Sequence, residues 1–171
     1  GTNTRLGLVE DGQLVASSLD SFANDDFDSY EAVVETYLDR LGQRRLDACC
    51  IALAAAPTPD GAQLTNRDWT IARTGLQALT GAPFIGFLND FEALGYSLIA
   101  PERLETQPVL ASAMPPPLRA TRMVLGAGTG FNAAACHWPA SGGTPHVAAA
   151  ECGHTTLAIE GEEECALQTA L

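Results

Sequence analysis

The chain has 171 residues, 46% of them hydrophobic, with nine basic residues against 21 acidic ones and a formal net charge of −12. That length supports a domain with a sizeable core, and the apolar fraction excludes an intrinsically disordered chain. The acidic balance argues against nucleic acid as a partner, because phosphate backbones reward basic surfaces. No run approaches the roughly 20 apolar residues of a membrane helix, and the polar start at residues 1–5 does not read as a signal peptide. All nine basic residues are arginine. Without lysine these residues hold neither a P-loop phosphate cradle nor a Schiff-base centre. Cys49, Cys50, Cys136, Cys152 and Cys165 show no CxxC or zinc spacing. They read as free, buried thiols in a reducing cytoplasm, with no metal site.

In chain order, residues 4–9 and 13–18 read as strands joined through Asp11-Gly12, a strong hairpin signal. Residues 29–41 carry apolar side chains at helical spacing, and Asp28 with Glu31 makes a capping-box pattern. The apolar run 48–54 predicts a fully buried strand. Pro57, Pro59 and Gly61 mark a loop, with short segments around Leu64 and Trp69. A second helix is predicted over 71–79, closed by Gly81 and Pro83. Another buried strand, 84–88, runs into Asn89-Asp90 and a third helix over 91–99. Residues 101–117 form a Pro-rich connector. A strand at 123–125, a hairpin partner at 131–138 and a turn at Ser141-Gly142-Gly143 follow. A hairpin and then alternating strands and helices predict an α/β fold with a mixed sheet. Ligands of such sheets gather at the carboxyl ends of strands. The start without Met inside a strand pattern, and an end inside a helical one, lead us to expect a piece of a longer protein.

Four polar clusters occupy strand ends or turns. Gly1-Thr2-Asn3-Thr4-Arg5 offers backbone and side-chain donors to phosphate, although such runs are also ordinary turns. Gly126-Ala127-Gly128-Thr129-Gly130 suits a tight turn whose amides face an anion, or a plain Gly-rich hairpin. Asn89-Asp90 can cap a helix. It can also serve a sugar: the carboxylate takes a hydroxyl proton while the amide fixes a neighbouring hydroxyl. Glu151 and His154, three residues apart around Gly153, fit adjacent sugar hydroxyls as acceptor and donor. A plain loop remains the alternative, and a metal pair is disfavoured because His137 and His146 lie in unrelated contexts. The run Glu162-Glu163-Glu164 reads as a solvated helix start with no catalytic role.

Taken in order, Gly1-Thr2-Asn3, Leu64-Thr65-Asn66-Arg67-Asp68-Trp69, Leu88-Asn89-Asp90-Phe91-Glu92-Ala93, Gly126 to Gly130 and Glu151-Cys152-Gly153-His154 resemble the successive motifs of bacterial glucokinases. These belong to the actin-like, hexokinase-type kinase superfamily. The resemblance spans essentially the whole chain and implies a ribonuclease H-like α/β domain with a mixed central sheet and flanking helices. It implies that Gly1, Thr2 and Asn3 end a first phosphate loop, and that Gly126, Gly128, Thr129 and Gly130 form a second. Asn89, Asp90, Glu151 and His154 would bind glucose, with Asp90 the general base and the segment from Thr65-Asn66 to Trp69 bordering the pocket. ATP and the magnesium ion that travels with it would be required. A second domain with the adenosine site and one further sugar-binding Glu would lie beyond Leu171. Cytoplasmic location is implied, and a homodimer is left open. Three departures stand out: the family's Asp-x-Gly before Gly1 is not in this sequence, Phe131-Asn132 replaces a small pair, and Cys152 stands where Gly is usual. A non-catalytic sugar sensor on the same fold is the alternative, and a structural actin-like ATPase fits the sugar-type clusters less well.

Overall fold

The computed structural model describes the chain apart from residues 1, 43–44, 65–66, 111–113, 115, 128–130, 151, 153–160, 163–165 and 167–171. The chain divides into two compact units, Gly1–Ala93 and Leu94–Leu171.

In the first unit, β1 (Asn3–Leu6) is followed by a small hairpin of β2 (Val9–Glu10) and β3 (Gln13–Leu14). Its turn is the expected Asp11-Gly12, with φ of 49° and 74°, the left-handed pair that matches strand twist. The expected strand over 13–18 is shorter. After Leu14 the chain folds into a 3-10 turn at Ala16–Ser18. The buried Ser18 hydroxyl donates to the Val15 carbonyl and accepts from the Leu8 N–H. Local side-chain bonding of this kind competes with a strand ladder. β4 (Asp20–Ala23), not foreseen, then pairs antiparallel with β1 from Asn3↔Ala23 to Leu6↔Asp20.

Helix α1 (Tyr30–Leu41) starts one residue later than the capping-box reading placed it. Ser29 is the cap, its Oγ accepting from the Ala32 N–H at 3.2 Å, and Gly42 ends the helix in the left-handed region at φ 65°. Its apolar face carries Tyr30, Val33, Val34, Tyr37 and Leu38, all buried. β5 (Ala48–Leu53) follows. Ile51 and Leu53 are buried, but Ala48, Cys50 and Ala52 alternate with them as exposed residues. The run is therefore half-buried and not covered on both faces. Its exposed positions are small and apolar, so composition hid the alternation. β6 (Gly61–Gln63) and β7 (Thr70–Ala72) form a short antiparallel pair where only loose segments and a helix start were expected. α2 (Arg73–Thr80) then ends at Gly81 with φ 65°. β8 (Phe84–Asn89) lies parallel to β5 in register from Ala48↔Phe84 to Leu53↔Asn89. Phe84, at its start, is exposed, so this strand too is not fully buried. The core gathers Val33, Ile71 and Leu76, each at most 1% exposed, with Phe22, Ile51 and Trp69 around them.

Both strand directions are present, parallel in β5–β8 and antiparallel elsewhere, but among the described residues they are spread over separate ladders. β1 and β5 are not hydrogen-bonded to one another. Between them runs a trough of about 620 Å³, lined by Leu6, Leu8, Tyr30, Val34 and Tyr37.

Helix α3 (Asp90–Ser97) is followed by a 3-10 turn at Pro101–Arg103 and the connector, where Val109, Leu110 and Leu118 are exposed. In the second unit β9 (Arg122–Ala127), β10 (Phe131–His137) and β11 (His146–Ala150) form an antiparallel sheet in the order 11-10-9. The hairpin of β9 and β10 was foreseen and β11 was not. The turn at Ser141-Gly142-Gly143 is present, with both glycines at positive φ. Gly95 lies so close to β10 and β11 that a Cβ there would come within 2.5 Å of Val147 Cγ1 and 3.2 Å of Ala134 Cβ. Only glycine fits that contact without displacement.

The core and the cap predict different losses. Leu76→Ala should lower the unfolding free energy by about 2–5 kcal/mol, because the site is fully enclosed. Ser29→Ala should cost about 1 kcal/mol. Urea unfolding followed by circular dichroism measures both, and equal small losses would show that the Leu76 site collapses freely.

Candidate active site

The parallel register brings the carboxyl ends of β5 and β8 to one edge. Asn89 closes β8 and Asp90 opens α3. The Asn89 amide fastens this edge twice. Its Nδ2 donates to the Ala55 carbonyl at 3.3 Å, just past the end of β5, and its Oδ1 accepts from the Phe91 N–H at 2.9 Å. The Glu92 carboxylate accepts from the Asn89 N–H at 3.4 Å, which completes a reciprocal cap. Capping therefore falls mainly to Asn89. Asp90 Oδ1 also accepts from the Phe91 N–H, at 2.8 Å. Its Oδ2 has no hydrogen-bond partner among the described residues, and the residue is half-buried. A carboxylate with one oxygen anchored and the other free is oriented to accept a proton from a bound hydroxyl.

Thr2 and Asn3 lie at the entry of β1, both exposed, with Asn3 Nδ2 donating to Thr2 Oγ1 at 3.2 Å. Their backbone is held from below by Asn24, which is 5% exposed. The Asn24 N–H donates to the Thr2 carbonyl at 2.9 Å, and Thr4 Oγ1 donates to Asn24 Oδ1 at 2.7 Å. Arg67 reaches the same residue, donating from Nη1 to the Asn24 carbonyl at 3.1 Å and pairing through Nη2 with Asp25. Its guanidinium lies 4.9 Å above the ring of the buried Trp69. Sequence reasoning did not single out Asn24 and placed Arg67 only within the segment that borders the sugar, with no role of its own. Their link joins residues 43 apart and leaves no local pattern.

Gly126 sits in β9 opposite Asn132 of β10, so the hairpin expected around the second glycine cluster is present on both flanks. Gly1, Thr65, Asn66, Gly128, Thr129, Gly130, Glu151 and His154 lie outside the described residues, as do Glu163 and Glu164 of the acidic run. No hydrogen bond among the described residues joins Thr2 or Asn3 to Asn89 or Asp90. No group of three or more His, Cys, Asp or Glu among them is placed to share a metal ion.

The described cysteines are free; Cys136 is buried, whereas Cys50 is exposed, contrary to the all-buried reading. Burial, and then the nearby Glu92 carboxylate, push the Cys50 thiol up, and burial with the Cys50 thiol beside it does the same to Cys49. Neither is a ready thiolate nucleophile at neutral pH. No helix among the described residues is long and apolar enough to cross a membrane.

Against known proteins, the family model for glucokinase matches residues 1–171. A glucokinase of Erwinia tasmaniensis is 31% identical over 169 residues, which covers 96% of this chain and 50% of the relative. A glucokinase of Tolumonas auensis is 30% identical over 176 aligned residues, covering 100% and 52%. Among solved structures, a glucokinase from an Antarctic psychrotroph superposes with a TM-score of 0.79 at 26% identity, over 99% of this chain and 53% of that one. The glucokinase of Balamuthia mandrillaris, solved in complex with glucose, shares the fold with a TM-score of 0.64 at 23% identity, over 99% and 50%. The chain thus spans about half the length of the curated relatives it matches. With a family match over residues 1–171 and relatives at about 30% identity, the chain belongs to the glucokinase family.

Proposed function

We propose that this chain forms the sugar-binding and phosphate-loop half of an enzyme that phosphorylates glucose with ATP, giving glucose 6-phosphate and ADP. The observation that carries this reading is Asp90, a carboxylate with a free Oδ2 at the carboxyl end of β8, in a chain of the glucokinase family. As the sugar hydroxyl oxygen attacks the γ-phosphorus, Asp90 accepts the hydroxyl proton, and the bond to the departing ADP breaks. Asn89 keeps one amide hydrogen beyond its bonds to Ala55 and Phe91 for a neighbouring hydroxyl. Glu151 and His154 bind further hydroxyls, and Thr65-Asn66 border the sugar. Gly1, Thr2 and Asn3, with Gly126, Gly128, Thr129 and Gly130, hold the phosphates of ATP, which enters as its magnesium complex. Positioning and charge neutralisation supply most of the acceleration.

The finer fold reading is ribonuclease H-like, with the β1–β4 and β5–β8 ladders belonging to one mixed sheet. What supports it is the family, together with a trough lined by residues of both β1 and β5. The adenosine site belongs to the half of the relatives' length that this chain does not span, and the location is cytoplasmic. The 171-residue chain alone should therefore show no glucose-dependent ADP release in a coupled assay. Robust turnover by it would mean that the nucleotide site lies within these residues.

In the full-length enzyme, Glu151→Ala and His154→Ala should each raise the glucose KM roughly 10- to 100-fold, the loss of a hydrogen bond of about 1–3 kcal/mol. Unchanged KM in both returns the cluster to a plain loop. Asp90→Asn keeps the side-chain shape and the acceptor for the Phe91 N–H but cannot take a proton. It should lower kcat by at least about 10² with little change in glucose affinity or melting temperature. A mutant that loses stability and keeps its turnover number would assign Asp90 to capping alone.

A further inference from the structure

We propose that Arg67 is a positioning residue, which through Asn24 ties the sugar-bordering segment to the strand that carries the first phosphate loop. The inference rests on the functional reading above and concerns residues to which that reading gives no individual role. Asn24 is the joint. One face of its backbone and side chain bonds Thr2 and Thr4, and its carbonyl bonds Arg67. A single buried residue therefore lies between the entry of β1 and the guanidinium. On the other side, the Trp69 N–H donates to the Arg67 carbonyl at 2.8 Å and the Leu64 N–H to the Trp69 carbonyl at 3.0 Å. These bonds fix the chain before and after the Thr65-Asn66 pair in sequence.

The three contacts of Arg67 differ in weight. The Asp25 side chain is 83% exposed, so that ion pair contributes little. The carbonyl bond and the stacking on Trp69 are directional, and a planar guanidinium makes both at once where an ammonium cannot. Transfer between a bound hydroxyl and a bound phosphate depends steeply on their separation. A link from one segment to the other thus acts on substrate binding and turnover without touching the reacting atoms.

The test uses the full-length protein, with calorimetric titration of glucose beside steady-state kinetics. Arg67→Ala should weaken glucose binding about 10-fold and raise the glucose KM in step, while kcat falls less. Arg67→Lys should bind glucose several-fold more weakly than the parent, and Asp25→Ala should match the parent. If the parent binds glucose and Arg67→Ala binds it equally well, the positioning role is wrong and the glucokinase reading stands. If the parent itself does not bind glucose, the functional reading fails first. Should Arg67→Ala fail to fold, a folded Arg67→Lys with parental glucose affinity would assign Arg67 to stability alone and overturn the proposal.

Discussion

Pairing of β5 with β8 in parallel is the constraint from which the geometry of the first unit follows. Parallel neighbours cannot be joined by a tight turn, so the chain must travel from the end of β5 back to the start of β8. It does so through β6, β7 and α2, which deliver Ile71 and Leu76 to the core against Val33 of α1. The register from Ala48↔Phe84 to Leu53↔Asn89 then leaves two strand ends side by side. Both ends have carbonyl groups to satisfy, and the Asn89 amide bridges them by donating to the Ala55 carbonyl. A one-residue slip would turn every side chain of β8 to the opposite face and take Asn89 away from that carbonyl.

Local chemistry was legible in the sequence wherever a single residue type dictates backbone geometry. Asp11-Gly12 and Gly81 did what turn and helix-stop residues do, and the helix periodicity over α1 was plain. The start of α1 slipped by one residue because Asp28 and Ser29 are both competent caps, and the choice depends on tertiary packing. β4, β7 and β11 escaped notice for a different reason. Each is five residues or fewer, and Asp20-Ser21-Phe22-Ala23 or His146 to Ala150 shows no distinct alternation. Their strand character comes from the neighbour they pair with. At the candidate site, Asn89-Asp90 was visible because it interrupts an apolar run. Asn24 and Arg67 were not, since backbone carbonyls as partners leave no trace in side-chain identity.

Two adjacent polar residues at a helix start usually compete for the same backbone donors. Here Asn89 takes the Phe91 N–H and the Ala55 carbonyl, while Glu92 reaches back to the Asn89 N–H. Asp90 shares the Phe91 N–H through one oxygen only. The capping demand is thus met largely by a neutral amide, which has donors and acceptors to spare. The carboxylate, which can only accept, keeps an oxygen in reserve. The reverse order, Asp then Asn, would place the carboxylate at the cap and leave no donor for the Ala55 carbonyl.

The absence of lysine, at first only a reason to exclude certain chemistries, has a structural counterpart. Among the described residues four arginines lie over aromatic rings: Arg40 on Phe22, Arg67 on Trp69, Arg73 on Phe87 and Arg122 on Trp138, at 4.8 to 5.8 Å. Three of them also donate to backbone carbonyls of distant segments: Arg67 to Asn24, Arg73 to Pro59 and Ile85, and Arg122 to Leu98. The guanidinium stacks with its face and bonds with its edge, so one side chain fixes two elements at once. Lysine offers a compact, strongly hydrated charge and would have to give up one contact for the other. In a sequence with 21 acidic residues, simple charge balance would be served by either cation. What distinguishes arginine at these positions is that one planar group stacks on a ring and bonds the backbone of a second segment, as Arg73 does with Phe87 and the Pro59 and Ile85 carbonyls.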